Sequence, residues 1–485
     1  MKNRLNKYRV ISFLIVVLFI LPSCNDFLNV RPKGYTIPSK YDDYWQMMNY
    51  AQMYKAAENY PAFITDDALL ADGDLTANFT YSTDEIKNLY TFKEGDVFGG
   101  GQSDPYWDYS YNRIYVCNTV INNVIKSEGS TEEKKLKLQA EAKVARAFEY
   151  LNLIALYAVA YDETTASTDY GVPLMYKEEV SSSLDYKRNT VKEVYEAIKK
   201  DLDESIPYLA EKAEHTFRAS KSVAYGFLAR MYLMQRKYDL ALENAVSALK
   251  IYNSVIDLNE YIVKPYSYIG KVVKKEDGTT SYPEGKDNIE NIYARYAPYV
   301  FGNVLQVYAS EDLLSIFAKD LKDGSIDKRH ELYFSKDEFV FDNFEGYTIY
   351  CPWTYVNLGL NTPEIILTAA ECYARKGSAD DLLKAEKLYN EFRDKRIENN
   401  IHITFKGKID AITKILDERR REFALVGAYR LTDLKRLNKE QEFEKTITHV
   451  VEGTTYTLPP NDIRYVMPLP PVVKSLRPDL PDYKR

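Results

Sequence analysis

Histidine, tryptophan and cysteine are scarce in this chain of 485 residues, which has four histidines, three tryptophans and four cysteines. None of the histidines lies in an HExxH pattern, and the sequence has neither a GxSxG nucleophile motif nor a phosphate-binding P-loop. The 71 acidic residues make carboxylate pairs common everywhere, so a catalytic pair of carboxylates cannot be selected by spacing. Signals for catalysis are therefore weak.

No apolar run of membrane length is present either. The longest apolar run begins at Val10 and ends at Leu21. Such a run reaches about 18 Å as a helix, well short of a bilayer core of about 30 Å. Basic residues precede it and Cys24 follows it, which is typical of a lipoprotein export signal over residues 1–23. Cleavage before Cys24 leaves its thiol available for acylation. An ordinary secretory signal with an incidental cysteine is the alternative.

A strong charge of one sign is absent as well. The net charge is −7 with both signs interspersed, which argues against a nucleic-acid partner. Once Cys24 is assigned to acylation, Cys117, Cys351 and Cys372 remain without any CxxC spacing. Cys117 and Cys372 fall at apolar helix positions, so we expect buried free thiols, with a disulfide as the alternative in an exported chain.

Tyrosine is the abundant residue, with 43 tyrosines against 20 phenylalanines. A tyrosine combines a large apolar ring with a polar tip, which suits interfaces and sugar faces as well as packing between helices. Packing between helices is the interpretation that covers most of these rings.

Helical periodicity dominates the chain and predicts a mostly α-helical fold built from helix pairs of the tetratricopeptide (TPR) type. The clearest pair lies at 220–250, where small and aromatic residues recur at TPR spacing: Tyr225, Leu228, Ala229, Tyr232, Ala241, Ala245 and Ala248. A looser copy lies at 370–392, and segments 136–157 and 191–209 are predicted to form a third pair. Between the helices, 62–106 and 255–355 are long irregular stretches whose aromatic content argues against disorder.

Two charged motifs suggest specific contacts. Asp66, Asp67, Asp72 and Asp74 form an acidic cluster, and carboxylates can bind Ca²⁺. EF-hand spacing is absent, so a solvated turn is the favoured interpretation, and Asp72 and Asp74 stay candidates for a structural Ca²⁺. No other cofactor is expected.

The run Arg419-Arg420-Arg421-Glu422 lies in a predicted helix, with Arg419 on the apolar stripe. Guanidinium groups pair bidentately with carboxylates, so this run predicts a structural network of ion pairs that joins helices. Anion binding is the alternative.

Several short motifs follow one another in a specific order along the chain. They are Asn25-Asp26-Phe27-Leu28, Thr65-Asp66-Asp67, Trp107 with Tyr111, Ile114 and Asn118, Ala140-Glu141-Ala142, Gly171-Val172-Pro173-Leu174, Arg188-Asn189-Thr190-Val191, Pro363-Glu364, Arg419-Arg420-Arg421-Glu422, Asp433-Leu434-Lys435-Arg436 and Met467-Pro468-Leu469-Pro470. In this order they resemble the SusD/RagB family of outer-membrane nutrient-binding lipoproteins over nearly the whole chain. The family's usual Asn-Pro near the C-terminus is Arg477-Pro478 here.

The resemblance implies one SusD-like domain over 24–485, with an N-terminal region over 24–220 and a C-terminal region over 221–485. It implies four TPR-like helix pairs that support an irregular, ligand-facing half, and a lipid anchor in the outer membrane at the cell surface. It further implies non-catalytic binding of glycans and a partner, a SusC-like TonB-dependent transporter. A peptide-binding RagB-like lipoprotein, a TPR scaffold for envelope assembly and an α-helical glycosidase are the alternatives.

A glycan site needs flat apolar faces for sugar C–H groups and polar groups for hydroxyls, so the aromatic residues of the irregular stretches are the candidates for ligand contact. They are Tyr81, Tyr90 and Phe98 in the first stretch, and Tyr296, Tyr299, Tyr350 and Trp353 in the second. Structural packing is the alternative for each of them. Trp107 is excluded because it lies at the packing end of a helix.

Overall fold

Helices dominate the part of the chain that this computed structural model describes, which comprises residues 38–56, 60–70, 82–178, 186–264, 271–296, 307–335, 348–350 and 357–485. The α-helices in these ranges are α1 (Tyr41–Met48), α2 (Asp84–Tyr90), α3 (Pro105–Asn123), α4 (Glu132–Tyr157), α5 (Val191–Ser205), α6 (Lys221–Met234), α7 (Tyr238–Ile251), α8 (Glu311–Ala318), α9 (Lys328–Tyr333), α10 (Thr362–Lys376), α11 (Ala379–Arg393), α12 (Lys408–Glu422), α13 (Tyr429–Leu437) and α14 (Pro471–Leu476). None of these helices combines the length and apolarity that a membrane crossing requires.

The long helices pack as successive antiparallel neighbours, which confirms the predicted fold class. Helices α6 and α7 form the pair predicted at 220–250, α10 and α11 form the second pair, and α4 packs against α5 as the third pair requires. Ala229 and Ala241 are fully buried where α6 and α7 meet, and Tyr232 is 7% exposed beside them. Small residues at these positions allow the two helix backbones to approach closely, so the spacing in the sequence has a direct packing cause.

Local capping residues fix where these helices begin and end. The Thr190 side chain accepts a hydrogen bond from the Glu193 backbone N–H, and the Glu193 carboxylate accepts one from the Thr190 N–H, which forms a capping box at the start of α5. Helix α10 ends at Lys376, and the next residue, Gly377, has a φ of +77°, a left-handed conformation that glycine adopts without a steric penalty.

Strands are short and lie mostly in the predicted irregular stretches. They are β1 (Ala68–Leu69), β2 (Tyr261–Lys264), β3 (Lys271–Lys274), β4 (Asn291–Tyr293), β5 (Tyr308–Ala309), β6 (Ile326–Asp327), β7 (Phe334–Ser335), β8 (Ile349–Tyr350), β9 (Leu360–Asn361), β10 (Ile397–Glu398), β11 (Ile447–Val451) and β12 (Thr454–Leu458). Strand β1 of the first stretch pairs antiparallel with β5 of the second, in a sheet of order β1-β5-β8-β7. The two irregular stretches therefore meet in space.

A buried network of ion pairs surrounds the C-terminal half of α12, as its arginine run predicts. Glu418 is fully buried and accepts from Arg329, Arg393 and Arg421 at 2.6, 2.8 and 2.7 Å. Burial alone raises the pKa of a carboxyl group, but the three guanidinium groups hold the pKa of Glu418 well below its ordinary value. Glu418 is therefore ionised throughout the physiological range.

The network continues from α12 to distant parts of the chain. Glu422 is bound by Arg396 through two contacts of 2.9 Å, and the same guanidinium donates to Glu290 at 2.6 Å. Glu290 immediately precedes β4, so the ion pairs of α12 extend to the second irregular stretch. Cys117 and Cys372 are buried free thiols, which confirms that expectation.

Glu371 on α10 offers a test of how much these buried ion pairs stabilise the fold. Its carboxylate accepts from Arg436 at 2.6 and 2.7 Å and from Arg375 at 2.7 Å. Burial raises the pKa of this group, but the two guanidinium groups outweigh burial and lower the pKa from 4.5 to about 2. Glu371→Gln is expected to lower the free energy of unfolding at pH 7 by about 3 kcal/mol, because two buried guanidinium groups each lose one counter-charge and keep only Asp433 or Glu440.

The pH dependence of this loss identifies its cause. The folded-state pKa is depressed, so the stabilisation by Glu371 is present above pH 4.5 and is lost as the pH falls toward about 2. The difference between wild type and Glu371→Gln, measured by urea unfolding followed by circular dichroism, should shrink across that window. Asp380→Asn, which removes an exposed pair with Lys384, is the control and should leave the free energy of unfolding unchanged at every pH. A loss that stays constant with pH would contradict the ionic origin.

Candidate functional site

The structure separates the predicted ligand-contacting residues. Tyr90 is 1% exposed and its ring stacks on His449 at 3.9 Å between ring centroids. Phe98 is 7% exposed and packs edge-on against Tyr60 at 5.9 Å. Neither ring presents an open face, so these two positions are corrected from ligand contact to core packing. An aromatic residue in an irregular segment looks the same in sequence whether its ring is covered or open.

The other predicted residues have different positions. Tyr350 lies on β8, where its partner in register is Phe334. Tyr296 is half-buried and lies three residues after the end of β4. The remaining predicted positions lie outside the described residues: Cys24, Tyr81, Tyr299, Trp353, Asp72 and Asp74.

Four half-buried rings from three segments meet around Tyr296, and we call them the aromatic cluster: Tyr54, His215, Phe217 and Tyr296. Phe217 lies at its centre, with ring centroids 4.4 Å from Tyr54, 5.7 Å from His215 and 5.8 Å from Tyr296. Main-chain hydrogen bonds hold two of these segments together, because the Tyr296 N–H donates to the Tyr54 carbonyl at 3.0 Å. The cluster therefore has a defined geometry and several partly open ring surfaces.

The titratable members of the aromatic cluster are uncharged at neutral pH. Burial raises the pKa of Tyr296 to about 12, and the nearby carboxylate of Glu284 acts in the same direction. Burial lowers the pKa of His215, and the guanidinium of Arg218 lowers it further. Tyr296 is therefore a neutral phenol and His215 a neutral imidazole, which leaves polar groups that can hydrogen-bond to an uncharged ligand.

A polar cleft of about 330 Å³ adjoins the aromatic cluster and shares His215 with it. One wall comes from residues 211–216 and the other from Lys286 and residues 288–289 and 291–292, and Tyr252 also lines the cleft. The Tyr252 hydroxyl donates to the Ile289 carbonyl at 2.8 Å, which fixes the second wall. The volume falls in the range of about 300–1,000 Å³ that is typical of small-molecule sites.

The ion-pair network around α12 positions one wall of this cleft. The Glu290 carboxylate accepts from Arg396 at 2.6 Å and from the Ile256 N–H at 3.0 Å. The Glu290 carbonyl accepts from the Thr362 N–H at 2.9 Å, at the start of α10. Asn288 Oδ1 accepts from the Glu290 N–H at 2.9 Å and Asn291 Nδ2 donates to the Gly285 carbonyl at 3.1 Å, so both amide groups are fixed beside Glu290.

Two residues of the acidic cluster in the first irregular stretch, Asp66 and Asp67, form structural ion pairs. Asp66 pairs with Arg430 through two contacts of 2.7 Å, and Asp67 pairs with Arg420 at 2.5 Å. Although burial favours the protonated form, Arg430 and Arg420 hold the pKa of Asp66 well below its ordinary value. Across the described residues, no group of three His, Cys, Asp or Glu side chains is arranged to hold a metal ion.

Sequence reasoning missed three members of the aromatic cluster. His215 and Phe217 lie in the connection between α5 and α6, residues 206–220, and Tyr54 follows α1. The available signal was weak: a histidine and a phenylalanine two residues apart in a polar segment that borders a predicted helix pair. Their contact with Tyr296 depends on chain segments more than 75 residues apart, which no local pattern reveals.

Comparisons with known proteins agree with this architecture. A family model described as "Starch-binding associating with outer membrane" matches residues 27–233, and a model of the SusD family matches residues 362–471. SusD-like protein P2 of Formosa agariphila is 26% identical over 250 residues, which cover 50% of this chain and 46% of that protein. The chain thus spans about half the length of this curated relative.

Solved structures share the fold at low identity. The chain is similar to a SusD superfamily protein of Bacteroides thetaiotaomicron, with a TM-score of 0.68, 18% identity and coverage of 92% of this chain and 100% of that one. It is also similar to a SusD-like carbohydrate binding protein of Bacteroides vulgatus, with a TM-score of 0.65, 18% identity and coverage of 91% and 97%. The two family models, the curated relative and the shared fold agree, and they confirm the predicted resemblance of this chain to the SusD/RagB family.

Proposed function

We propose that this chain is a non-catalytic surface lipoprotein that binds glycans at the aromatic cluster and the adjoining polar cleft. The observation that supports this proposal is the adjacency of the two features. Half-buried rings offer apolar faces for the C–H groups of a sugar, and the cleft offers amide groups for its hydroxyls. One of the structurally similar proteins is described as a carbohydrate binding protein.

The uncharged state of the cluster favours a neutral polar ligand. Tyr296 and His215 stay neutral at physiological pH, so neither of these two groups adds a charge to the cluster. Charged side chains of both signs lie at the cleft, among them Lys212, Lys286 and Glu214. These charges suit the termini of a peptide as well as sugar hydroxyls, so a peptide-binding lipoprotein of the same type is the second candidate.

Delivery to a membrane transporter completes the proposal. Acylation of Cys24 anchors the protein in the outer membrane, and the bound glycan passes to a SusC-like TonB-dependent transporter. The description of the matched family model, which mentions association with the outer membrane, supports this arrangement. Stable anchoring requires more than one acyl chain, and lipoprotein processing at a cysteine supplies it.

A panel of polysaccharides and oligosaccharides, tested by calorimetry and affinity electrophoresis, measures ligand binding directly. We expect saturable binding without hydrolysis. Phe217→Ala should weaken binding about tenfold, because stacking by one ring contributes about 1–1.5 kcal/mol. Tyr296→Phe, which keeps the ring and removes the hydroxyl, should retain most of the affinity.

The control is Tyr115→Ala on α3, which removes an exposed tyrosine that lies outside the cluster and the cleft. Its affinity for the glycan should equal that of the wild type. Binding of peptides in place of any glycan, with the same loss in Phe217→Ala, would replace the glycan proposal by the peptide one. Turnover of a glycan would contradict a non-catalytic role.

The lipid anchor predicts a separation between binding and uptake. Cys24→Ala, expressed without acylation, should bind the same glycan in solution with unchanged affinity. Cells that carry this variant should fail to take up the glycan, because the binding protein no longer stays at the membrane. Uptake of labelled glycan is the measurement, and normal uptake by Cys24→Ala would contradict the proposed anchor.

A further inference from the structure

Arg295 is a buried arginine that forms no ion pair with any carboxylate of the described residues. The residue is 2% exposed. The nearby Glu149 carboxylate is bound instead by Arg113, through contacts of 2.6 and 2.9 Å. Arg329, which is fully buried in the network around α12, pairs by contrast with Glu418 at 2.6 Å. Arg295 therefore lies outside the ion-pair network and carries a charge without a direct counter-charge.

An unpaired cation of this kind is unfavourable for folding. Burial lowers the pKa of Arg295, because surroundings of low polarity disfavour the charged form. At Arg329 burial acts in the same direction, but Asp327 and Glu418 outweigh it and raise the pKa. The buried Nε of Arg295 also makes no hydrogen bond to a described group. A methionine would fill much of the same space without the transfer of a charge from water, so stability does not explain an arginine at this position.

The guanidinium of Arg295 contacts carbonyl groups and aromatic rings at the aromatic cluster. Its Nη1 donates to the Phe217 carbonyl at 3.2 Å and to the Ala294 carbonyl at 2.7 Å, and its Nη2 donates to the Tyr293 hydroxyl. Its Cζ lies 3.7 Å from the ring centroid of Tyr293 and 5.8 Å from that of Tyr54, distances at which a cation and a ring attract. Phe217 and Tyr54 are members of the aromatic cluster.

The main chain around Arg295 reaches the remaining segments of the cluster. Tyr296 follows Arg295 directly in sequence. The Ala294 N–H donates to the Thr216 carbonyl at 2.7 Å, next to Phe217. Arg295 therefore touches or adjoins all three segments that contribute rings to the aromatic cluster, and it does so from the buried side.

We propose that Arg295 is the positioning residue of the glycan site, a role that rests on the function proposed above. Its guanidinium fixes the Phe217 backbone through the carbonyl and lies near the Tyr54 ring, so the rings hold their orientation before a ligand arrives. Rings that are already ordered lose less conformational freedom on binding, which raises affinity. Arg295 itself is buried and does not touch the ligand.

Arg295→Met separates this role from a role in stability. No described carboxylate loses a partner in this variant, and the loss of donors to two carbonyls is offset by the removal of an unpaired buried charge. The midpoint of urea unfolding should therefore equal or exceed that of the wild type. The affinity for an oligosaccharide should fall about fivefold, less than in Phe217→Ala because the ring itself remains. A residue needed only for stability would lower both quantities.

Calorimetry on the full mature chain measures the affinity. Maltoheptaose is the first probe, because one matched family model is described as starch-binding. The other oligosaccharides of the panel follow, and each one that binds the wild type is compared between the wild type and Arg295→Met.

A fluorine label measures the order of the Phe217 ring without any ligand. 4-Fluorophenylalanine at position 217 should give one ¹⁹F resonance in the wild type and a shifted, broadened resonance in Arg295→Met. This measurement makes failure of the two proposals distinguishable. A wild type that binds no glycan but shows this dependence on Arg295 would overturn the glycan function and support the positioning of the rings by Arg295.

Arg236→Met is the matched control. Arg236 Nη1 donates to the Tyr161 carbonyl at 2.8 Å and forms no ion pair with a described carboxylate, but it lies outside the aromatic cluster and the polar cleft. Its affinity and its fluorine resonance should equal those of the wild type. Arg295→Lys keeps the charge without the planar group, so it should resemble Arg295→Met in both measurements. It takes the place of Arg295→Met if that variant does not fold, as judged by circular dichroism.

Three outcomes would overturn the proposal. They are wild-type affinity in Arg295→Met or Arg295→Lys, an unchanged fluorine resonance in these variants, and a lowered unfolding midpoint in Arg295→Met. The last result would assign Arg295 to the stability of the fold.

Discussion

Pairing between buried guanidinium and carboxylate groups around α12 is the constraint on which the rest of the structure depends. Glu418 is fully buried among Arg329 of α9, Arg393 of α11 and Arg421 of α12 itself. A buried carboxylate without its partners is strongly unfavourable, so α12 packs correctly only when α9 and α11 are in place. The fold of the C-terminal half is therefore coupled to the placement of chain segments that are distant in sequence.

The same pairing joins the helical scaffold to the irregular half. Arg396 links Glu422 of α12 to Glu290 beside the polar cleft, and Arg420 links α12 to Asp67 of the first irregular stretch. The strand pair β1–β5 then connects the first stretch to the second. Short strands and loops of this kind have little regular structure of their own, so contacts with the helical half give the aromatic cluster and the polar cleft their shape.

The helix pairs could be predicted from sequence, whereas most of the candidate site could not. The pair of α6 and α7 could be predicted from the spacing of Ala229, Tyr232 and Ala241, because helix packing depends on residues a few positions apart. Tyr296 was predicted at the site, but its neighbours Tyr54 and Phe217 belong to segments that tertiary contacts bring together. Tyr90 and Phe98 met the same criterion, an aromatic residue in an irregular stretch, but both rings are buried. Composition does not show which rings the fold covers.

The sequence by itself determined the helical class, the position of the main helix pairs, the family resemblance and the arginine run that forms ion pairs. Each of these depends on residue type and local spacing, which are properties of one segment at a time. Only the tertiary structure decided which carboxylates pair with those arginines, which aromatic rings stay partly open and where the polar cleft lies. Those features depend on contacts across as many as about 350 residues, as between Asp67 and Arg420, and the packing of the whole chain sets them.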